Sequence, residues 1–237
     1  MPVKPSPVAY AYAAAFLQVA LLAGCNQPAV ADKTETPRTT PVVAAVQVVK
    51  GPERLILAFG DSLYAGYGLK RGESMPAHVE TLLRRQGINA KIVNAGVSGD
   101  TTAAGRKRLA FALDKLPRQP DLVMLGLGGN DVLRQIPVTE ARANLVAMLD
   151  ELRRRKIPVL LTGMRAPPNL GPDYRAQFDA LYPALGRDYH AALYPFVLDG
   201  VLGQRQLLLP DGIHPNASGI DVMAARIAPL VVRSLQP

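Results

Sequence analysis

From residue 55 onward the chain alternates short apolar runs that end near glycine with longer stretches of helical spacing. This alternation restricts the fold more than any other feature. Residues 55–59, Leu-Ile-Leu-Ala-Phe, are stopped by Gly60. The run is too short for a typical helix and apolar throughout, the pattern of a strand buried on both faces. Four further strands are expected at 90–94, 121–127, 159–163 and 192–196, the last interrupted by Pro195. Between them lie predicted helices. Residues 75–86 place Val79, Leu82 and Leu83 on one side and stop at Gly87. Residues 101–113 have Asp100 as a candidate N-cap. Residues 139–155 bury Leu145, Leu149 and Leu152, and Thr139 and Arg142 lie near their start. Residues 174–189 keep helical spacing although Pro183 and Gly186 weaken their later part. Residues 217–235 close the chain behind Asn216, another candidate N-cap. Such alternation calls for an α/β fold, a mostly parallel five-stranded sheet with helices on both faces.

Composition fits one ample domain of 237 residues: 49% of them are hydrophobic and 19% charged, enough for a sizeable core. The formal charge of +8 favours anionic partners in general. Its densest run, Arg153-Arg154-Arg155-Lys156, ends a predicted helix, where cations complement the helix dipole. The remaining basic residues are scattered, with no zinc knuckle and no RNA-binding aromatic signature, so no nucleic-acid partner is expected. No internal repeat of 20–50 residues is visible.

The single cysteine rules out an intramolecular disulfide. It follows a mostly apolar stretch, residues 8–24, behind a short head carrying Lys4. That stretch reads as a signal peptide rather than a membrane span. Leu22-Ala23-Gly24-Cys25 resembles the lipobox of bacterial lipoproteins, which implies cleavage before Cys25 and lipidation of that residue. The expected organisation is a signal peptide over 1–24, a lipidated Cys25 with a Pro/Thr/Ala/Val-rich tether over 25–52, and a catalytic-size domain over 53–237. A short strand at 42–49 is a further expectation. The localisation implied is an exported, membrane-anchored envelope lipoprotein facing the periplasm.

Three turns carry the chemistry. Asp211-Gly212-Ile213-His214-Pro215-Asn216 sets a carboxylate three residues before an imidazole, a spacing that lets Asp211 orient one ring nitrogen of His214. Gly60-Asp61-Ser62 follows the first strand and offers a hydroxyl that needs a base to become a nucleophile. On this segment alone a nucleophile and a helix N-cap are equally good readings of Ser62. Gly128-Gly129-Asn130-Asp131 follows the third strand and offers the Asn130 amide. Gly99, after the second strand, presents a backbone N–H without a side chain, and the N–H of Ser62 is a third donor. The three would form an oxyanion hole. Tyr64 breaks the Gly-x-Ser-x-Gly elbow of α/β-hydrolases, and Asp131 stands where a dinucleotide fingerprint needs its third glycine. His78 and His190 fall on or near helices and read as surface or packing residues. No metal-ligand cluster accompanies Asp211 and His214, so neither metal nor cofactor is expected.

Gly60-Asp61-Ser62, Ser98-Gly99-Asp100, Gly128-Gly129-Asn130-Asp131 and Asp211-Gly212-Ile213-His214-Pro215, in that order, resemble the four signature blocks of the SGNH (GDSL) hydrolases. The text around Ser62 and His214 is closest to the thioesterase I, lysophospholipase and arylesterase branch. The resemblance spans about residues 55–235. It implies a flavodoxin-like three-layer α/β/α sandwich and a metal-free site. It also implies Ser62 as nucleophile, Asp211 and His214 as its dyad, and Gly99 and Asn130 as oxyanion donors. The expected substrate is a small-molecule or lipid acyl ester or thioester. The loop after the fourth strand, with Pro168 and Leu170, would either border the acyl groove or merely connect rigidly. An O-acetylesterase of envelope polysaccharide and a non-catalytic acyl- or glycan-binding lipoprotein are the alternatives. The sequence does not specify an oligomeric state.

Overall fold

A computed structural model describes residues 49–236. The expected strand at 42–49, the lipobox and nearly all of the tether lie outside the described residues. Five parallel strands form one sheet in the order β2-β1-β3-β4-β5: β1 Arg54–Gly60, β2 Ala90–Gly96, β3 Leu122–Gly126, β4 Val159–Thr162 and β5 Ala192–Tyr194. This is the flavodoxin-like order, with its switch point where the chain leaves β1 first for β2 and then returns to β3 on the other side.

Each strand feeds two cores because successive side chains point to opposite faces. Ile56 and Ala58 of β1 pack in one core, under Met75–Arg85 (α2) and Ala217–Ser234 (α7). Leu57 and Phe59 pack in the other, under Thr102–Asp114 (α3), Val138–Arg154 (α5) and Pro172–Asp188 (α6). Both sets are fully buried, which is why the strand shows no polar alternation in sequence.

The helices keep most of their expected limits, with two corrections. The N-cap of α3 is Thr101, whose hydroxyl accepts the Ala104 N–H at 3.3 Å. Asp100 is drawn away instead to the Arg108 guanidinium, 2.5 Å from its carboxylate. Helix α6 runs through Pro183 and Gly186 without a break, held by the buried Phe178, Leu181, Tyr182 and Leu185. Asn216 caps α7 as expected, accepting the Gly219 N–H at 3.0 Å. The cationic end of α5 is paired rather than open: Arg153 meets Asp150, Arg154 meets Glu151, and Arg155 meets Glu151 and Asp114.

Two short helices have no counterpart in the sequence reading, Ser62–Ala65 (α1) and Gly129–Leu133 (α4). The first lies directly on the sheet. Gly60, Gly96 and Gly126 occupy the same level on three adjacent strands. A Cβ on Gly60 or Gly126 would collide with the Tyr64 ring, and one on Gly96 with the Tyr64–Ala65 backbone. Three missing side chains thus make the floor on which the Ser62 turn rests. Tyr64 locks it there, its hydroxyl 2.9 Å from Thr162 Oγ1 in the buried interior.

Candidate active site

Ser62 is the first residue of its short helix. The cap is Asp61, whose carboxylate accepts the Leu63 N–H at 3.1 Å. The capping role therefore falls on Asp61, and the Ser62 hydroxyl is not spent on the cap. It meets His214 Nε2 at 2.9 Å, across 152 residues of sequence. His214 Nδ1 lies 2.7 Å from Asp211 Oδ2. With that carboxylate accepting, Nδ1 carries the ring proton and Nε2 is left to accept from Ser62.

The Asp211 turn is built to hold a charge. Its other oxygen accepts the backbone N–H groups of Ile213 at 2.9 Å and His214 at 3.0 Å. These bonds, that of His214 first, lower the Asp211 carboxyl from its ordinary value to about 2. Tyr67 covers the imidazole, ring centroids 4.4 Å apart. The turn is closed by the Leu209 N–H donating to the His214 carbonyl at 2.7 Å.

Asn130 and Gly99 reach the same place from β3 and β2. The Asn130 amide donates to the Asp100 carbonyl at 3.0 Å, which fixes the amide plane and leaves its second N–H available. Gly99 sits at φ +86°, a left-handed conformation that favours glycine. Its carbonyl accepts from Arg134 at 3.0 Å. Ser62, Gly99, Asn130 and His214 all line one cavity of about 620 Å³. Its other walls are largely apolar, including Leu63, Met164, Ala166, Phe196 and Leu198.

Of the two residues expected at the acyl groove, Pro168 lines this cavity and Leu170 does not. Leu170 packs instead against the core beneath α6. The reason is local: Pro168–Leu170 is a 3₁₀ turn. Successive side chains there point about 120° apart, so the two cannot share a face. Ala166 and Pro167 take the wall position.

Sequence reasoning overlooked the frame that holds these groups. The Arg108 guanidinium, on α3, ties three pieces together: the Asp100 carboxylate at 2.5 Å, the Ala95 carbonyl at 2.7 Å and the Gly60 carbonyl at 2.9 Å. It also lies 3.9 Å from the centre of the Phe59 ring. Asp131 is fully buried and accepts both the N–H and the hydroxyl of Thr102, at 2.8 and 2.5 Å, tying the Asn130 helix to α3. The available signal for Arg108 was a cation between the inward-facing Gly105 and Leu109. The signal for Asp131 was a carboxylate inside an apolar stretch. Asp61 is a third such group. Burial raises its carboxyl to about 6, opposed by its bond to the Leu63 N–H. His78 pairs with Asp221 at 2.7 Å and lies outside the site. Among the described residues no three His, Cys, Asp or Glu side chains gather as a metal site.

The chain is similar to known proteins. A model of the GDSL-like Lipase/Acylhydrolase family matches residues 58–222. Esterase TesA of Pseudomonas aeruginosa is 39% identical over 160 residues, which covers 68% of this chain and 79% of that protein. Thioesterase 1/protease 1/lysophospholipase L1 of Escherichia coli K12 is 34% identical over 180 residues, covering 74% and 84%. Among solved structures, AlinE4, a SGNH-hydrolase family esterase, is 53% identical with a TM-score of 0.67, covering 79% of this chain and 100% of that one. With the family model spanning most of the domain, the four blocks in order and a shared fold, this chain belongs to the GDSL/SGNH lipase–acylhydrolase family.

Proposed function

We propose that this chain is a serine esterase and thioesterase that forms an acyl-enzyme on Ser62 and works at the bacterial cell envelope. The observation that carries the proposal is the unbroken line Asp211–His214–Ser62, with spacings of 2.7 and 2.9 Å, opening into an apolar cavity beside Gly99 and Asn130. His214 Nε2 takes the hydroxyl proton as Ser62 Oγ bonds to the acyl carbonyl carbon. The negative charge that collects on the carbonyl oxygen is stabilised by the N–H groups of Ser62, Gly99 and Asn130, an assignment supported by all three residues lining the same cavity. As the tetrahedral centre collapses, the bond to the leaving oxygen or sulfur breaks and the imidazolium returns its proton to that atom. A water, deprotonated by the same nitrogen, then attacks the acyl-enzyme. The fatty acid leaves and Ser62 recovers its proton. Asp211 keeps the required tautomer throughout and stabilises the imidazolium.

The apolar walls favour an acyl tail over a sugar, which ranks acyl esters above acetylated polysaccharide. The relatives named for esterase, thioesterase and lysophospholipase activity support the same class. Anchoring rests on the lipobox-like Leu22-Ala23-Gly24-Cys25 and the Pro/Thr-rich segment after it. Acyl chains on Cys25 would hold the protein at a bilayer, each buried methylene adding about 0.8 kcal/mol.

Hydrolysis of p-nitrophenyl butyrate and labelling by a fluorophosphonate probe test the chemistry. Both are expected in the full chain and both are expected to vanish in Ser62→Ala. Turnover at the wild-type rate in that variant would refute the nucleophile assignment. Mass spectrometry of the membrane-extracted protein tests the anchor: an unmodified Cys25 would refute it.

A further inference from the structure

Six large hydrophobic side chains are exposed among the described residues, and five of them surround the mouth of the active-site cavity. Tyr67, Leu133, Leu202 and Ile213 edge the cavity itself, and Val97 precedes Ser98, which lines it. Each of the five is between 43% and 60% exposed. They come from separate connections: after the Ser62 helix, after β2, at the end of the Asn130 helix, and from the long segment between β5 and α7. Single exposed apolar residues are ordinary, but their convergence from several loops onto one end of a sheet is not. The sixth, Phe111, stands alone on α3 beneath Lys115.

Cations stand in or beside these connections: Lys70 and Arg71 after the Ser62 helix, Arg134 next to Leu133, Arg205 between β5 and α7, and Arg165 on the neighbouring loop after β4. Arg165 stands at the mouth, 5.5 Å from the centre of the Phe196 ring, and pairs with no carboxylate among the described residues. The carboxylates nearby are occupied: Asp61 by the Leu63 N–H, Asp100 by Arg108, Asp199 by Arg226, Asp211 by the His214 turn, and Glu73 by the Lys70 N–H. An apolar rim with Arg165 at its edge and further cations on the adjoining loops matches a phospholipid surface with anionic headgroups. We infer that the mouth of the cavity is a docking face that lies on an anionic bilayer, so that an acyl ester passes from the lipid layer into the cavity without crossing water.

The chain outside the domain is long enough for this orientation. All five strands run with their carboxyl ends toward the mouth, so β1 starts at the opposite end, at Arg54. If Cys25 is the anchor, 29 residues separate it from Arg54. At about 3.3–3.6 Å per residue they reach about 100 Å when extended. A domain of this size is about 40 Å across. The length of chain between Cys25 and Arg54 is therefore compatible with the far end facing the membrane.

The inference rests on the hydrolase reading for its purpose, but its test does not depend on turnover. The chain has one cysteine, so Cys25→Ser removes the only thiol and any acyl anchor together. In a full chain that also carries Ser62→Ala, Leu202→Cys, Leu133→Cys or Phe111→Cys places an environment-sensitive fluorophore at a single position. On adding phosphatidylglycerol-containing vesicles, the emission at 202 and 133 is expected to shift to the blue, with quenching by lipid-borne nitroxides. The label at 111 is expected to stay unchanged, and purely zwitterionic vesicles to give a several-fold smaller response. Unshifted emission at both rim positions, or an equal response at 111, overturns the inference. A shift without vesicles that grows with protein concentration also overturns it, because a second copy of the chain would then be the occupant. Docking in this variant alongside a Ser62-containing chain that fails to cleave p-nitrophenyl butyrate would sink the hydrolase reading alone.

Discussion

Removing the Arg108 guanidinium should weaken both the fold and the reaction, by amounts the geometry sets. In Arg108→Met the apolar stem survives but three hydrogen bonds disappear, those to Asp100, Ala95 and Gly60. The Asp100 side chain is only 12% exposed and that of Arg108 23%, so the carboxylate left behind is poorly solvated. Breaking a buried pair on one side costs about 3–5 kcal/mol. Partial solvent access lowers this, and about 2–4 kcal/mol is expected. The catalytic effect has a separate origin. Gly60 leads directly into Asp61 and Ser62, and the Asp100 carbonyl is the acceptor that fixes the Asn130 amide. Losing an oxyanion donor outright costs about 2.7–4 kcal/mol of barrier. Misplacing donors costs less, and a fall in kcat of about tenfold is expected with little change in KM, equivalent to about 1.4 kcal/mol. Urea unfolding followed by circular dichroism reads the first quantity, and p-nitrophenyl butyrate kinetics on the folded fraction reads the second. Arg108→Lys should fall between, because one ammonium cannot serve three diverging acceptors. Loss of stability with kcat unchanged would reduce Arg108 to a structural residue. No loss of either would refute the reasoning entirely.

Two further perturbations separate charge from geometry. Asn130→Ala removes one oxyanion donor and should lower kcat by about 10²–10³ while Ser62 remains the residue that a fluorophosphonate labels, more slowly; an unchanged kcat would show that the amide does not face the carbonyl oxygen. The second concerns pH. The Asp61 carboxyl is raised by burial from 3.8 to about 6, so the folded state holds its proton more tightly than the unfolded chain. The stability this contributes is complete below about pH 4 and is lost as pH rises through about 6. Asp211 acts oppositely: its contribution is present above about pH 4 and is lost as pH falls toward 2. Asp61→Asn keeps a side-chain oxygen for the Leu63 N–H and should flatten the decline between pH 4 and 7, an effect of about 2–3 kcal/mol. A urea midpoint that falls with pH as steeply in the variant as in the parent would rule Asp61 out as the source.

What was legible in the text depended on range. Strands and long helices follow from local periodicity, because burial on one or two faces imprints a pattern of two or 3.6 residues. Those elements appear within a few residues of their expected limits. The helices of four and five residues at Ser62 and Gly129 left no such imprint. A helix that short pays the full nucleation penalty and exists only because the sheet beneath supports it. Leu170 leaves the cavity wall to Pro168 for a related reason: a tight 3₁₀ turn redirects a side chain without changing its neighbours in sequence.

The residue types and their order were enough to specify the sheet and helices on its two faces, because burial imprints a local pattern, and the four blocks in order singled out Ser62, Asp211 and His214 as candidates through their resemblance to a known family. The meeting of Ser62 with His214 across 152 residues was decided by the tertiary structure alone. So were the glycine floor beneath Tyr64, the three-way tie at Arg108 and the apolar ring around the mouth. Each of these depends on which strands lie side by side, and strand order is set by packing between segments distant in the chain, for which a linear pattern carries no coordinate.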